Sequence, residues 1–150
     1  MRRILGIFRG FPGLGRVVSG LSLLETMRDK YGCKVEAISY LQGNRYLELK
    51  GYEISQEVSP MDFCSIGLLP TNTMGAYIHK KVRNLRPDLV IIDGEPLIIQ
   101  SLKISHPLLK VVALVNPSDI ENRENDQDAM SYFNAMYSLA DLTIVHGLRS

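Results

Sequence analysis

Five short, mostly apolar runs constrain the fold of this chain more than any other feature. Between them lie longer segments in which apolar residues recur at helical spacing, at residues 16–30, 71–85, 96–104 and 128–140. The runs themselves occupy residues 4–8, 34–39, 89–92, 111–115 and 142–145. Short apolar strands alternating with helices are typical of parallel sheets covered on both faces. The sequence therefore predicts an α/β fold, with a doubly wound, mainly parallel, Rossmann-like sheet.

The remaining segments complete this predicted topology. Residues 41–51 are expected to form a short helix that leads into a small strand at residues 52–55. Residues 56–70 and 116–127 have no clear period and are expected to be loops. With the small strand counted, we expect six parallel strands in the order 3-2-1-4-5-6, or the same sheet with a seventh strand at its edge.

Length and composition indicate a single domain over residues 1–150, with 45% hydrophobic and 22% charged residues. The formal net charge of +1 provides no argument for binding nucleic acid. No run approaches the roughly 20 apolar residues of a membrane span, and the first run is too short for a signal peptide. Cys33 and Cys64 match no metal or redox spacing. We expect reduced cysteines and a cytoplasmic protein.

A glycine-rich turn follows the first apolar run, with the sequence RGFPGLGR at residues 9–16. Such a turn allows backbone N–H groups at a helix start to approach an anion or a polar ligand. Gly13, Gly15 and Gly20 do not match the G-x-G-x-x-G spacing of dinucleotide-binding turns, and no Walker A sequence is present. The turn predicts a ligand near this helix start without specifying NAD or ATP.

Polar residues follow several of the other predicted strands. Because strand-to-helix loops of a doubly wound sheet emerge at one edge, we expect these residues to line one cleft with the glycine-rich turn. The predicted ligand-binding residues are Gly13, Gly15, Arg16, Asp93, Glu95, Asn116 and His146. No metal ligands are predicted, and no catalytic residue is assigned.

Several of these residues also have simpler interpretations. Asp93 can cap the helix that follows it, and Glu95 can favour the helix dipole from the first turn. Arg16 can be a solvated residue in the first turn of its helix. His79 is expected to be exposed on a helix, which leaves His146 as the histidine at the ligand edge.

Four segments in this order resemble the N-terminal half of a glycosyltransferase of the GT-B fold. They are the glycine-rich turn at residues 13–19, GYEI at residues 51–54, RPDLVIIDGEP at residues 86–96 and ADLTIV at residues 140–145. The resemblance extends over the whole chain. It implies that residues 1–150 form the acceptor-binding domain of a two-domain enzyme, and that the nucleotide-diphosphate-sugar donor binds mainly to a C-terminal half absent from this sequence. It implies no obligatory metal and no cofactor, and the acceptor is not specified.

One position departs from the pattern of this family. The family loop often carries a histidine where this chain has Arg16, and an arginine where it has Ser19. Arginine stays protonated at any working pH, so Arg16 cannot be a general base. It can bind a phosphate, a carboxylate or the donor diphosphate.

Two other classes of protein do not fit the sequence. A receiver-like regulatory domain needs a carboxylate cluster after the first strand, where this chain has Arg9 and Gly10. A plain NAD-binding domain needs an acidic residue at the end of the second strand, where residues 39–41 offer none. Two alternatives stay open: the N-terminal half of a nucleotide-sugar 2-epimerase, and a non-catalytic α/β ligand-binding module.

Overall fold

The computed structural model describes residues 2–11, 13–54, 73–116 and 127–145. Its strands are β1 (Arg3–Phe8), β2 (Lys34–Ile38), β3 (Leu89–Asp93), β4 (Lys110–Val115) and β5 (Leu142–Val145). Its helices in the described ranges are α1 (Gly15–Tyr31), α2 (Gln42–Leu49), α3 (Thr73–Leu85), α4 (Pro96–Ser105) and α5 (Gln127–Tyr137). Within the described ranges, strands and helices alternate as the apolar pattern predicts, except that α2 is followed by α3 as the next described element.

The five strands form one sheet in the order β2-β1-β3-β4-β5, and each pair of neighbours is parallel. The chain moves from β1 outward to β2, then returns to place β3 on the other side of β1. The direction of winding therefore changes between β1 and β3, and in such sheets ligands bind at this switch point, beyond the carboxyl ends of the strands.

The predicted doubly wound α/β fold is confirmed, but the prediction of a sixth strand at residues 52–55 is wrong for its described part. Residues 52–54 form no strand, and Ser55 lies outside the described residues. The Tyr52 N–H donates to the carbonyl of Leu47 at 3.0 Å, so it closes the end of α2 instead of extending the sheet. Without that strand, the remaining five keep the predicted order.

The last predicted helix is also shorter than residues 128–140. It ends at Tyr137, because the N–H groups of Leu139 and Ala140 donate to carbonyls three residues back and tighten the chain into a turn. The Asp141 N–H then donates to the Val111 carbonyl at 2.9 Å, which starts the pairing of β5 with β4. The loop predicted at residues 56–70, most of that at residues 116–127, and Cys64 lie outside the described residues.

The sheet has a helical layer on each face. Helices α1 and α2 pack on one face, which we call the α1 face, through Val17, Leu21, Leu24 and Leu47. Helices α3, α4 and α5 pack on the opposite face, through Ile78, Ile98, Leu102 and Tyr137 among others. Cys33 is a free, buried thiol in the α1-face layer. Within the described ranges, no helix has both the length and the apolar composition needed to span a bilayer.

Candidate functional site

A cleft of about 500 Å³ opens at the carboxyl edge of the sheet, beside the switch point between β1 and β3. Its lining residues come from the loop after β1, from the first turns of α1 and from the residue after β4: Arg9, Phe11, Gly13, Gly15, Arg16, Ser19 and Asn116. A volume of this size is within the range of small-molecule sites. The glycine-rich turn therefore lies where the topology favours a ligand.

Arg16 connects this turn to the carboxyl end of β3. Its Nη1 lies 2.5 Å from Oδ1 of Asp93, and the Arg16 side chain is only 18% exposed while that of Asp93 is fully buried. Arg16 is therefore not a solvated first-turn residue. The interpretation of Asp93 as the N-cap is also wrong, because Glu95 holds the N-cap position of α4 and makes no side-chain capping hydrogen bond.

Gly94 makes the contact between the two loops possible. It adopts φ +85, and a Cβ atom built on it lies 2.7 Å from Arg9 Cβ and 2.7 Å from Arg16 Cδ. A larger residue is therefore excluded both by backbone conformation and by space. The turn after β3 is shaped so that both arginines pack directly across it.

Glu95 is buried beneath the cleft and does not line it. It accepts a short hydrogen bond from the Tyr40 hydroxyl, and both residues are almost completely buried. Burial, and next the charge of Glu95, raise the pKa of Tyr40 far above its ordinary value, so Tyr40 stays protonated as the donor. The first-turn interpretation of Glu95 is wrong, since Glu95 precedes α4 and its side chain binds Tyr40 in the loop after β2.

The loops after β1 and β2 are in backbone contact next to this pair. Gly43 N–H donates to the Gly10 carbonyl at 3.2 Å, and the buried Ser39 hydroxyl donates to the Phe8 carbonyl at 2.8 Å. Leu41, at the N-cap of α2, has φ 50, a left-handed value that strains a residue with a branched side chain. This strained turn holds Tyr40 under the cleft.

The N-terminus of α1 contributes electrostatics to the cleft. Leu14 at the N-cap forms no side-chain capping hydrogen bond, and the first turn of this fully described helix has no acidic residue. The first N–H groups of the helix and the positive end of its dipole are thus not neutralised by its own sequence. With Arg9 and Arg16 beside it, this end of α1 favours an anionic group.

The structure brings most of the predicted site residues to one edge. Gly13, Gly15, Arg16 and Asn116 line the cleft, and Asp93 lies in contact with Arg16. Glu95 is at the same edge but is buried below the cleft, and His146 lies outside the described residues. Whether these residues bind an acceptor stays a prediction.

Sequence reasoning missed Arg9 and Tyr40. Arg9 lines the cleft and its Nε donates to the Phe11 carbonyl at 2.8 Å. Both residues follow the carboxyl ends of strands, so the rule that selected Asp93 and Asn116 also selects them when it is applied to every strand. The partnership of Tyr40 with Glu95 has no sequence signal, because 55 positions separate them.

His79 also differs from its prediction as an exposed helix residue. It is partly buried, its ring stacks on that of His106 with centroids 5.6 Å apart, and its Nε2 lies 2.6 Å from Ser101 Oγ. Burial first, then the charges of His106 and Arg83, lower the pKa of His79. This pair belongs to the packing of α3 against α4, away from the lining of the cleft.

Comparison with known proteins identifies no family for this chain. Neither the family models nor the curated proteins contain a match to this chain.

Proposed function

We propose that this chain is the acceptor-binding domain of a GT-B glycosyltransferase, and that its cleft holds an anionic group of the acceptor. The contact between Arg16 and Asp93 carries this proposal. It joins two of the four segments on which the resemblance depends, the glycine-rich turn and the segment RPDLVIIDGEP, at the switch point of the sheet.

The chemistry of the cleft supports an anionic ligand. Arg9 and Arg16 line the cleft, and the planar guanidinium cation of arginine suits a phosphate or a carboxylate. The two nearby carboxylates, Asp93 and Glu95, are fully buried behind the arginines, so a ligand that enters from solvent meets cations first. In this proposal Arg9, Arg16 and Asn116 bind the acceptor, and Asp93 positions Arg16.

The proposed transfer needs a second domain for the nucleotide-sugar donor. Holding donor and acceptor together can account for roughly 7–11 kcal/mol of the barrier. This chain alone is therefore expected to fold but to transfer no sugar. By isothermal titration calorimetry, it should bind UDP-glucose or UDP-N-acetylglucosamine weakly or not at all.

Pyrophosphate is a suitable probe of the proposed anion site. Arg16→Gln and Arg9→Gln should each weaken its binding by about tenfold, as expected for the loss of one charge-assisted contact. Arg45→Gln, on the exposed side of α2, is the matched control and should leave binding unchanged. Equal pyrophosphate binding by all three variants and the unmodified chain would exclude the cleft as the anion site.

A self-contained ligand-binding module is the second candidate, because one chain alone supplies every lining residue of a cleft of ligand size. Micromolar binding of a nucleotide sugar by residues 1–150 alone would favour this module over an acceptor domain. Restored sugar transfer on mixing with a separately expressed C-terminal half would instead support the glycosyltransferase.

A further inference from the structure

The two arginines of the cleft are fixed by different kinds of contact. The Arg16 guanidinium binds a carboxylate directly, since its Nη1 lies 2.5 Å from Oδ1 of Asp93. Arg9 contacts the backbone: its N–H donates to the Asp93 carbonyl at 2.9 Å, and its Nε donates to the Phe11 carbonyl at 2.8 Å. The position of the loop after β1 therefore decides where the Arg9 guanidinium lies in the cleft.

The Tyr40 hydroxyl connects this loop to the residue before α4. It donates a hydrogen bond to Glu95, and the N–H of Gly10, directly after Arg9, donates to the same hydroxyl. A phenol carries one hydrogen and can accept as well, so it can form both bonds at once. Tyr40 and Glu95 are almost completely buried, so water does not compete for either bond.

The charge of Arg9 also reaches this hydroxyl. Burial and next the charge of Glu95 raise the pKa of Tyr40, while the charge of Arg9 and the Gly10 N–H oppose the rise only in part. Tyr40 therefore keeps its proton and remains the donor to Glu95, and the Arg9 guanidinium lies near enough to the pair to be affected by it.

The segment after β2 holds Gly10 from its other side. The Gly43 N–H donates to the Gly10 carbonyl at 3.2 Å, and a Cβ atom built on Gly10 would lie 2.5 Å from Ser39 Oγ. Both polar groups of the Gly10 backbone are thus bound by residues 39–43. A change at Tyr40 should displace this loop, and Arg9 with it, whereas Arg16 belongs to α1 and keeps its contact with Asp93.

We infer that Tyr40 is a positioning residue of the cleft, whose hydroxyl holds the loop after β1 and so places the Arg9 guanidinium for an anionic ligand. Tyr40 is not among the described residues that line the cleft, so it acts through Arg9 and not by touching the ligand. The inference rests on the anion site of the proposed function. It assigns separate supports to the two arginines, Tyr40 for Arg9 and Asp93 for Arg16.

Tyr40→Phe tests this role, because it removes the hydroxyl and keeps the ring. In a titration of pyrophosphate followed by phosphorus NMR, this variant should bind about fivefold more weakly, as expected for the loss of one hydrogen bond. Tyr77→Phe is the matched control, since Tyr77 is a partly buried tyrosine on the opposite face and does not line the cleft. Circular dichroism at the temperature of the titration checks that each variant is folded.

Double variants separate positioning from a general structural role. If Tyr40 acts through Arg9, Tyr40→Phe should weaken binding by less than about twofold when Arg9→Gln is already present. Added to Arg16→Gln, it should again weaken binding by about fivefold. A general loosening of the fold would reduce affinity similarly in both backgrounds, and that result would overturn the inference.

Glu95→Asp tests the same hydrogen bond if Tyr40→Phe does not fold. It keeps the negative charge but shortens the acceptor by one methylene, so it should reproduce the loss of affinity and its dependence on Arg9. If Arg9→Gln weakens pyrophosphate binding while Tyr40→Phe and Glu95→Asp do not, the inference is overturned and the anion site of the proposed function stands. If the unmodified chain does not bind pyrophosphate, the inference and the anion site both fail.

Discussion

The two edges of the sheet use carboxylates in opposite ways. At the amino edge, Asp88 directly precedes β3 and Asp141 directly precedes β5. The Arg3 N–H donates to Asp88 Oδ2 at 2.8 Å, and the Val111 N–H donates to Asp141 Oδ2 at 2.8 Å. In return, the N–H of each aspartate donates to the carbonyl of the same partner residue. Both residues are exposed and their carboxylates bind the backbone at the start of strand pairing, and Asp141 also accepts a hydrogen bond from the Lys103 ammonium at 3.0 Å.

At the carboxyl edge, Asp93 and Glu95 are fully buried and bind side chains, those of Arg16 and Tyr40. The comparison shows which motif residues point to function. The aspartates of the PD and AD segments, on which part of the resemblance depends, have a sufficient structural role in register. The burial of two carboxylates at the switch point does not follow from strand register, and such burial favours a functional site there.

Arg16→Gln should produce the largest loss of stability at either edge. It leaves the buried Asp93 carboxylate without this cation, and such losses reach about 3–5 kcal/mol for buried pairs. Because Arg16 keeps some contact with solvent, we expect about 2–3 kcal/mol by urea denaturation. Arg45→Gln should change stability by less than about 0.5 kcal/mol. A loss below about 1 kcal/mol for Arg16→Gln would remove the energetic distinction between the two edges.

Gly10→Ala should destabilise the carboxyl edge by about 1–3 kcal/mol through overpacking. A Cβ atom at Gly10 lies 2.1 Å from the Tyr40 carbonyl oxygen, so the loops after β1 and β2 must separate. Gly13→Ala is the matched control, because no atom lies within 4 Å of its added Cβ. Thermal unfolding monitored by circular dichroism compares the two variants. Equal melting temperatures would show that the packed loops tolerate displacement.

Asp88→Ala and Asp141→Ala should each cost about 1 kcal/mol at neutral pH, as expected for one hydrogen bond to an exposed acceptor. The Val111 N–H, and next the Lys103 ammonium, lower the pKa of Asp141 below its ordinary value. Its contribution to stability is therefore complete above the unfolded-state pKa of about 3.9 and is lost as pH falls through the lower folded-state pKa. In urea denaturation, the free energies of unfolding of Asp141→Asn and of the unmodified chain should therefore become similar only in strong acid. If the difference in stability between these two chains disappears already at pH 6, the pH dependence belongs to a group other than Asp141.

His79 should produce the smallest effect, and it lies outside the lining of the cleft. Its pKa is lowered in the folded state, so the neutral ring is favoured there and stability falls as pH drops below the unfolded-state value of about 6.5. Solvent screening should keep this loss below about 1 kcal/mol. Unfolding of His79→Gln should be less sensitive to pH between 7.5 and 5.5 than unfolding of the unmodified chain. If the stability of His79→Gln depends on pH in the same way as that of the unmodified chain, a group other than His79 titrates in this range.

Much of the fold could be predicted because its signals are local. Apolar runs such as that at residues 89–92 predicted all five strands, since side-chain burial on both faces of a strand is recorded in consecutive residues. The predicted strand at residues 52–55 was wrong for residues 52–54, since a backbone hydrogen bond to Leu47 competes there and leaves no trace in composition. The end of α5 was predicted at residue 140 and lies at Tyr137, because the backbone hydrogen bonds of Leu139 and Ala140 that end the helix also leave no trace in composition.

The sequence by itself determined the doubly wound sheet, the order of its five observed strands and the position of a glycine-rich turn at its carboxyl edge. Periodicity and turn chemistry act over a few neighbouring residues, so they can be recognised without coordinates. Only the tertiary structure decided that Arg16 meets Asp93 and that Tyr40 meets Glu95. Those contacts join residues far apart in the chain, and their energies depend on burial, which exists only once the sheet and its helical layers have packed.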